Sequence, residues 1–289
     1  MNNTILLSLN VFHPNEDLLR YGVYIARNLG ATLVLFDAHY QSVLVPNEYV
    51  VPGASAIQVV DNDHNLEKAK KELGTIYNRL SEEWYYTRAK LVSDPIPSWQ
   101  GNKEYYLLEE AERVEPLLII SEIQNDFGRL NELFGTVETK LADEANCPVL
   151  LLPGDYKYTE FGEINYLLER ERPIDAVVQE VSFLKQLASN FEQKPTINLL
   201  YYFGMDTEAV EKELALKRSI LQQELDYDRL EFVNRSQQDI ETSIRRDTNE
   251  YRADLFAFPH RNHNFLERLT ASDTTAKIVL QSNIPLVVF

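Results

Sequence analysis

Two histidines and an aspartate follow the first two apolar runs of the chain. His13 comes shortly after Thr4–Asn10. Asp37 ends the run Ala31–Asp37, and His39 follows that run two residues later. A histidine beside a carboxylate can act as a general base. Because the sequence marks no nucleophile beside this group, an enzyme crevice at these residues is only a third interpretation.

The remaining histidines and the cysteine favour structural roles. His260 and His263 are three residues apart, but a metal site needs further ligands at suitable spacing, so we expect a polar loop and no metal. Cys147 precedes Pro148 at the start of an apolar run, which indicates a buried thiol. A single cysteine forms no internal disulfide, and the simplest interpretation is a reducing, cytoplasmic location. H-E-x-x-H, G-x-S-x-G and Walker A patterns do not occur in the sequence.

Short apolar runs alternate with segments of helical periodicity along both halves of the chain. In the first half the predicted strands are Thr4–Asn10, Ala31–Asp37, Tyr86–Val92, Pro116–Ser121 and Pro148–Leu152. In the second half they are Glu163–Leu168, Thr196–Tyr202, Leu230–Val233, Asp254–Phe258 and Pro285–Phe289. The first predicted helix is Asn15–Leu29, with Gly30 in the position of a C-terminal cap. The last two predicted helices are Asp239–Tyr251 and one within Phe265–Gln281. This alternation predicts α/β architecture with parallel sheets.

The ends of the two halves match each other. The segment 146–151 (NCPVLL) corresponds to 283–288 (NIPLVV), so that a proline opens the last strand of each half. A repeat of about 140 residues predicts two similar domains, 1–154 and 155–289, after the turn Pro153-Gly154. An unpaired apolar edge strand favours aggregation, so we expect the two last strands to pair with each other, or in a homodimer with another chain.

Composition excludes several classes of protein. The chain has 289 residues, 44% of them apolar, and a formal net charge of −17. Such acidity disfavours nucleic acid and anionic membranes as partners. No run approaches the roughly 18 apolar residues of a membrane span, and the first run lacks the basic residues of a secretory signal. We therefore expect a soluble cytoplasmic protein.

The layout and one motif resemble a known family. Residues 135–141 (GTVETKL) are similar to the G-S-V-x-x-K-V run of universal stress proteins, near the start of the last helix. The chain thus resembles a tandem universal stress protein over nearly its whole length. The resemblance implies two doubly wound, Rossmann-like five-stranded parallel sheets of order 3-2-1-4-5. It also implies that a ligand would lie at the carboxyl ends of strands 1 and 4 of such a sheet.

The ATP-binding branch of that family carries G-x-x-G-x₉-G-[ST], because glycines let the backbone approach phosphates. Gly135-Thr136 supplies the final pair, but Glu122 and Asn125 occupy the two earlier glycine slots. The family's adenine-contacting aspartate falls on Asn10. The resulting candidate nucleotide site is degenerate: Asn10, Asp37, Gly128, Gly135, Thr136 and Val137.

The second half departs further from the family pattern. Its glycine slots hold Phe258, Arg261 and Ala271-Ser272, and its aspartate position holds Glu169. We therefore expect a non-enzymatic stress-response or regulatory protein that works through contacts with an unidentified protein and has no cofactor. The alternative is an ATP- or AMP-binding stress protein that uses the first-half crevice, with slow hydrolysis. The long polar stretch from His39 to His64 is expected to be a covering or binding loop.

Overall fold

The chain folds around one sheet with helices on its faces. The computed structural model describes residues 3–41, 62–86, 88–97, 103–123, 137–154, 156–169, 172–188, 193–203, 208–236, 253–259 and 284–289. The strands in these ranges are β1 (Thr4–Ser8), β2 (Thr32–Gln41), β3 (Ala89–Pro97), β4 (Leu118–Ile123), β5 (Val149–Pro153), β6 (Glu163–Leu167), β7 (Thr196–Phe203), β8 (Leu230–Ser236), β9 (Leu255–Phe258) and β10 (Leu286–Val288). The helices are α1 (Glu16–Asn28), α2 (Asn62–Trp84), α3 (Lys103–Val114), α4 (Val137–Glu144), α5 (Ile174–Ala188) and α6 (Glu208–Leu225).

The ten strands form one sheet in the order β3-β2-β1-β4-β5-β10-β9-β6-β7-β8. Within each half the order is 3-2-1-4-5 and the pairings are parallel, which confirms the predicted fold class. The halves join where β10 pairs antiparallel with β5, with Val287 opposite Leu150. The two predicted sheets are thus continuous through the strands whose pairing the sequence indicated. The domain limits 1–154 and 155–289 stay a prediction.

Both faces of the central strands are covered. Along β1, Ile5 and Leu7 point into a core that contains residues of α1 and α2, and Leu6 points into a core that contains residues of α3 and α4. All three side chains are fully buried. Strands buried on both faces are continuous apolar runs rather than alternating ones, as the sequence of β1 shows.

The first helix shows why local sequence predicted it. Asn15 caps its N-terminus by accepting hydrogen bonds from the backbone N–H groups of Asp17 and Leu18. Gly30 follows the helix with φ +60°, a left-handed conformation that favours glycine, as predicted for a C-terminal cap. Gly22 lets α1 approach β1, because a Cβ atom there would lie 2.3 Å from Leu7 Cδ1.

Strand β3 begins and ends later than its apolar pattern indicated. Tyr86 was predicted to open the strand, but its hydroxyl donates to Ala31 O at 2.8 Å and thereby ties the end of α2 to the start of β2. The strand then continues to Pro97. Proline is tolerated there because β3 is the outer strand of the described sheet on this side.

The second half repeats this tie. Tyr227 Oη donates to Pro195 O at 2.6 Å, as Tyr86 does to Ala31 O. Two residues further on, Arg88 donates to Gly30 O and Arg229 to Lys194 O. The two halves therefore share these side-chain contacts of a Tyr-x-Arg motif as well as their strand order. The predicted helices Asp239–Tyr251 and within Phe265–Gln281 lie outside the described residues.

The segment between the halves, 156–161, lies on α1. Tyr21 Oη donates to Thr159 O at 3.0 Å and accepts from Thr159 N–H at 3.1 Å. The Tyr21 ring packs edge-on against Tyr158 and is stacked on Phe161, with centroids 4.9 and 5.7 Å away. Phe161 is 2% exposed. The linker is therefore part of the core that covers one face of the sheet.

Candidate functional site

The predicted crevice lies at the switch point of the first half, where strands are added on one side of β1 and then on the other. Strand β1 lies between β2 and β4, so the residues that follow β1 and end β4 share one edge of the sheet. In open parallel sheets, ligands bind outside the carboxyl ends of strands at this switch point. Asn10 follows β1, Asp37 is in β2 and Glu122 is in β4.

The side chains of Asn10 and Asp37 shape the turn between β1 and α1. Asp37 is 1% exposed, and its Oδ1 accepts a hydrogen bond from Val11 N–H at 3.2 Å. Asn10 Oδ1 accepts from Phe12 N–H at 3.0 Å. Both residues lie near the switch point, as predicted. Their described hydrogen bonds go to the backbone of this turn, so each has a structural role there.

Glu122 is held at the same edge by an asparagine. Asn15 Nδ2 donates to Glu122 Oε1 at 3.1 Å and to Gly154 O at 3.2 Å, while Asn15 Oδ1 caps α1. One side chain thus connects α1, β4 and the residue after β5. A Cβ atom on Gly154 would lie 2.7 Å from Glu122 Oε1, so a larger residue there would require the Glu122 carboxyl group to move.

The carboxyl group of Glu122 is destabilised in its charged form. Burial raises its pKa above the ordinary value, and the hydrogen bond from Asn15 opposes only part of that shift. A folded-state pKa above the unfolded one favours folding at low pH, and this contribution is lost as the pH rises through the folded pKa. Ionised Glu122 is therefore a cost to the folded protein at neutral pH.

Replacing Glu122 with glutamine should remove this cost. The glutamine side chain would keep an oxygen acceptor for Asn15 but would carry no charge, so we expect E122Q to be more stable than the wild type at pH 7.5. It should lose that advantage near pH 4, where the carboxyl group is protonated in both the folded and the unfolded chain. Urea unfolding midpoints at the two pH values measure the difference. Glu82→Gln, at an exposed position on α2, is the control and should shift the midpoint little at either pH. An E122Q advantage that is equal at both pH values would contradict the raised pKa.

Several predicted residues lie outside the described part of the chain. These are Gly128, Gly135, Thr136, Asn125, His260, Arg261, His263 and Ala271-Ser272. Val137 is described and begins α4. The candidate nucleotide site therefore stays a prediction.

The other residues considered for chemistry are placed as follows. His13 is exposed in the turn after β1, and His39 lies in β2. Among the described residues, no group of three or more His, Cys, Asp or Glu side chains could hold a metal ion. Cys147 is half-buried, whereas the sequence indicated a buried thiol. Burial raises the pKa of its thiol to about 12, so the thiol is protonated at neutral pH.

Asn15 is the residue that sequence analysis missed. Its signal was local, since an asparagine followed by Glu16 and Asp17 is a typical helix start. That signal predicts a cap only. The contacts with Glu122 and Gly154 span 107 and 139 residues, and no local pattern records them.

Comparison of the fold with solved structures gives one consistent result. A universal stress protein from Archaeoglobus fulgidus DSM 4304 matches with a TM-score of 0.64 at 12% identity, over 99% of this chain and 96% of that one. A proposed universal stress protein from Pseudomonas aeruginosa UCBPP-PA14 matches with a TM-score of 0.64 at 15% identity, over 99% and 92%. The chain has the fold of the universal stress proteins. This confirms the predicted resemblance at the level of architecture.

The chain is also similar in fold to a domain of a transport protein. The cytoplasmic domain of a prokaryotic cation chloride cotransporter matches with a TM-score of 0.60 at 11% identity, over 99% of this chain and 95% of that one. No protein-family profile and no curated protein match the sequence. Within the described residues, no helix is both long and apolar enough to cross a membrane. Function must therefore be argued from the site rather than from the fold.

Proposed function

We propose that this chain is a universal-stress-type stress-response or regulatory protein of the cytoplasm that acts through protein contacts. In this proposal it is not an enzyme, and its first-half crevice is not a complete nucleotide site. The observation that supports the proposal is the Glu122 carboxyl group, which Asn15 holds at the carboxyl end of β4.

The chemistry of Glu122 opposes phosphate binding. A phosphate group needs N–H donors and positive charge, whereas an ionised carboxylate repels it. The side chain is also fixed, because Asn15 is itself held as the cap of α1. Glu122 occupies the first glycine slot that the resemblance implies, so the side chain lies where backbone would need to approach phosphate.

Nucleotide titration tests the absence of a complete site. The purified protein should release no ATP, ADP or AMP on denaturation, and calorimetric titration with ATP and Mg²⁺ should give no binding with a Kd below about 100 μM. Heat that saturates at lower concentrations would contradict the proposal and favour the adenine-nucleotide alternative. E122Q then serves as a comparison, because removal of the negative charge should strengthen binding if phosphate lies beside Glu122.

The stress role requires a test in cells. Deletion of the gene in its source organism should reduce survival under heat, oxidant or starvation, and the wild-type chain should restore it. E122Q should restore survival equally, because the proposal gives Glu122 no part in protein contacts. Unchanged survival of the deletion strain under all three stresses would contradict a stress function.

A further inference from the structure

A cavity lies at the junction of the two halves, beside α5. It has a volume of about 470 Å³, which is within the usual range of binding sites. We call it the α5 groove. Its walls comprise Gln179, Glu180 and Phe183 of α5, together with Arg172, Phe289 and the segment 143–148, which contains the end of α4 and the loop after it.

Internal symmetry relates this groove to a surface of the first half. Strand β6 corresponds to β1, since each is the central strand between its second and fourth partners. Helix α5 likewise corresponds to α1, because their inward-facing positions recur at the same spacing. The residues Leu19, Gly22, Val23 and Ala26 of α1 and its C-cap Leu29 match Val177, Glu180, Val181, Leu184 and Leu187 of α5, and all of these residues are buried. In this register Gln179 occupies the position of Tyr21, and Asp175 that of Asp17.

The equivalent surface on α1 is occupied by the linker. Tyr21 packs against the rings of Tyr156 and Phe161, with centroids 6.1 and 5.7 Å away. Asp17 fixes the same segment, because Lys157 Nζ donates to Asp17 Oδ2 at 3.1 Å and Tyr158 N–H donates to Asp17 Oδ1 at 3.2 Å. An extended segment with a lysine between aromatic residues therefore fits this helix face.

On α5 the matching groups are present and exposed. Asp175 lies in the first turn, where Asp17 lies in α1, and both Asp175 and Gln179 are exposed. The Phe183 and Phe289 rings meet edge-to-face at 5.8 Å and supply an aromatic wall. Acidic side chains outnumber basic ones around the groove. Arg172 forms an ion pair with Glu180, and Asp143 and Glu144 add two further acidic residues to the lining.

We propose that the α5 groove binds an extended segment of a partner protein in which a lysine is flanked by aromatic residues. The ring enters the cavity beside Phe183 and Phe289, as the rings of the linker pack on α1. The lysine pairs with Asp175, as Lys157 pairs with Asp17. This inference deepens the proposed function and rests on it, because it names the chemistry of the protein contact.

The chain itself provides the probe. A fluorescent peptide with the sequence of residues 155–161 (DYKYTEF) is titrated with the full-length protein, without nucleotide, and its anisotropy is followed. The α1 surface is already filled by the same sequence in the intact chain, so binding reports on the α5 groove. We expect saturable binding with a Kd below about 1 mM.

Charge reversal tests the pairing with lysine. Asp175→Lys should weaken peptide binding at least about fivefold, as expected for loss of an ion pair replaced by repulsion. A peptide in which Lys157 is replaced by glutamate should bind the wild type more weakly but regain affinity for Asp175→Lys. Glu231→Lys is the matched control, because Glu231 is exposed on β8, the outermost strand of the described sheet on that side. This variant should bind both peptides as the wild type does.

A gain-of-affinity variant tests the register. Gln179→Tyr recreates Tyr21, which contributes ring contacts and both hydrogen bonds to Thr159 on α1. We expect about fivefold tighter binding of the peptide, as one added aromatic pair provides. A variant that only disturbed the fold would not increase affinity.

Three results would contradict parts of this proposal. No saturable binding, or equal binding to Asp175→Lys and Glu231→Lys, overturns the α5 groove as a peptide site. A concentration-dependent dimer of the protein that the peptide dissociates would make a second copy the occupant, and would also overturn the proposal of a partner protein. ATP binding in the separate calorimetric titration would contradict the absence of a nucleotide site and leave the peptide result unaffected.

Discussion

Val287→Lys should prevent the two halves from joining and should yield little soluble folded protein. Val287 is fully buried and pairs with Leu150 on one side and with Ala257 on the other. A lysine there places an ammonium group between two layers of side chains without a partner. Such substitutions are among the most destabilising, and we expect a loss of more than about 4 kcal/mol in the free energy of unfolding. Soluble yield, circular dichroism and urea unfolding measure the effect.

Two variants control for this substitution. Val287→Ile keeps the apolar character and should cost less than about 1.5 kcal/mol. Leu216→Lys introduces the same charge at a leucine that is 62% exposed on α6, and should change stability by about 0.5 kcal/mol or less. A Val287→Lys protein as stable as Leu216→Lys would contradict the pairing of β5 with β10 within one chain. A folded monomer obtained from a dimeric wild type would instead assign the pairing to two chains.

Phe161→Ala should lower the free energy of unfolding by about 3–5 kcal/mol, the usual cost of truncating a buried phenylalanine. Phe161 is 2% exposed and its ring is stacked on Tyr21 in α1, so the truncation opens a cavity between the linker and the first half. The hydrogen bonds of Tyr21 to Thr159 then lose the packing that shields them from water. Urea unfolding followed by tryptophan fluorescence is suitable, because Trp84 packs against Tyr158 of the same linker.

The control for the linker variant is an aromatic side chain outside the core. Tyr105 is 61% exposed on α3, and Tyr105→Ala should cost less than about 1 kcal/mol. If Phe161→Ala costs no more than Tyr105→Ala, the linker is not part of the core. An extra unfolding transition in Phe161→Ala alone would show that the linker also couples the unfolding of the halves.

Local patterns were sufficient for the alternation of strands and helices, whereas the strand order was implied by the family resemblance. Continuous apolar runs such as those of β1 and β4 indicate strands that are buried on both faces. Such strands are typical of a parallel sheet that helices cover on both sides. Gly30 was predicted from its place after a helical period, because a left-handed φ is a local requirement. The end of β3 was not predicted, since the tolerance for Pro95 and Pro97 depends on the strand lying at a sheet edge.

The candidate site was only partly accessible to sequence analysis. Asn10, Asp37 and Glu122 lie at one edge of the sheet, because strand order determines which loops meet there. The hydrogen bond from Val11 N–H to Asp37 joins residues that are 26 apart in sequence, so no local pattern could predict it.

The sequence by itself determined that the chain forms two related α/β halves, each with a parallel sheet and an apolar final strand. Periodicity predicts these elements because apolar residues recur at the buried positions of each helix and strand. Only the tertiary structure decided that β5 and β10 pair within one chain, that Asn15 holds Glu122 and Gly154, and that the linker covers α1. Those contacts join residues far apart in sequence, and their geometry depends on the packing of the whole fold.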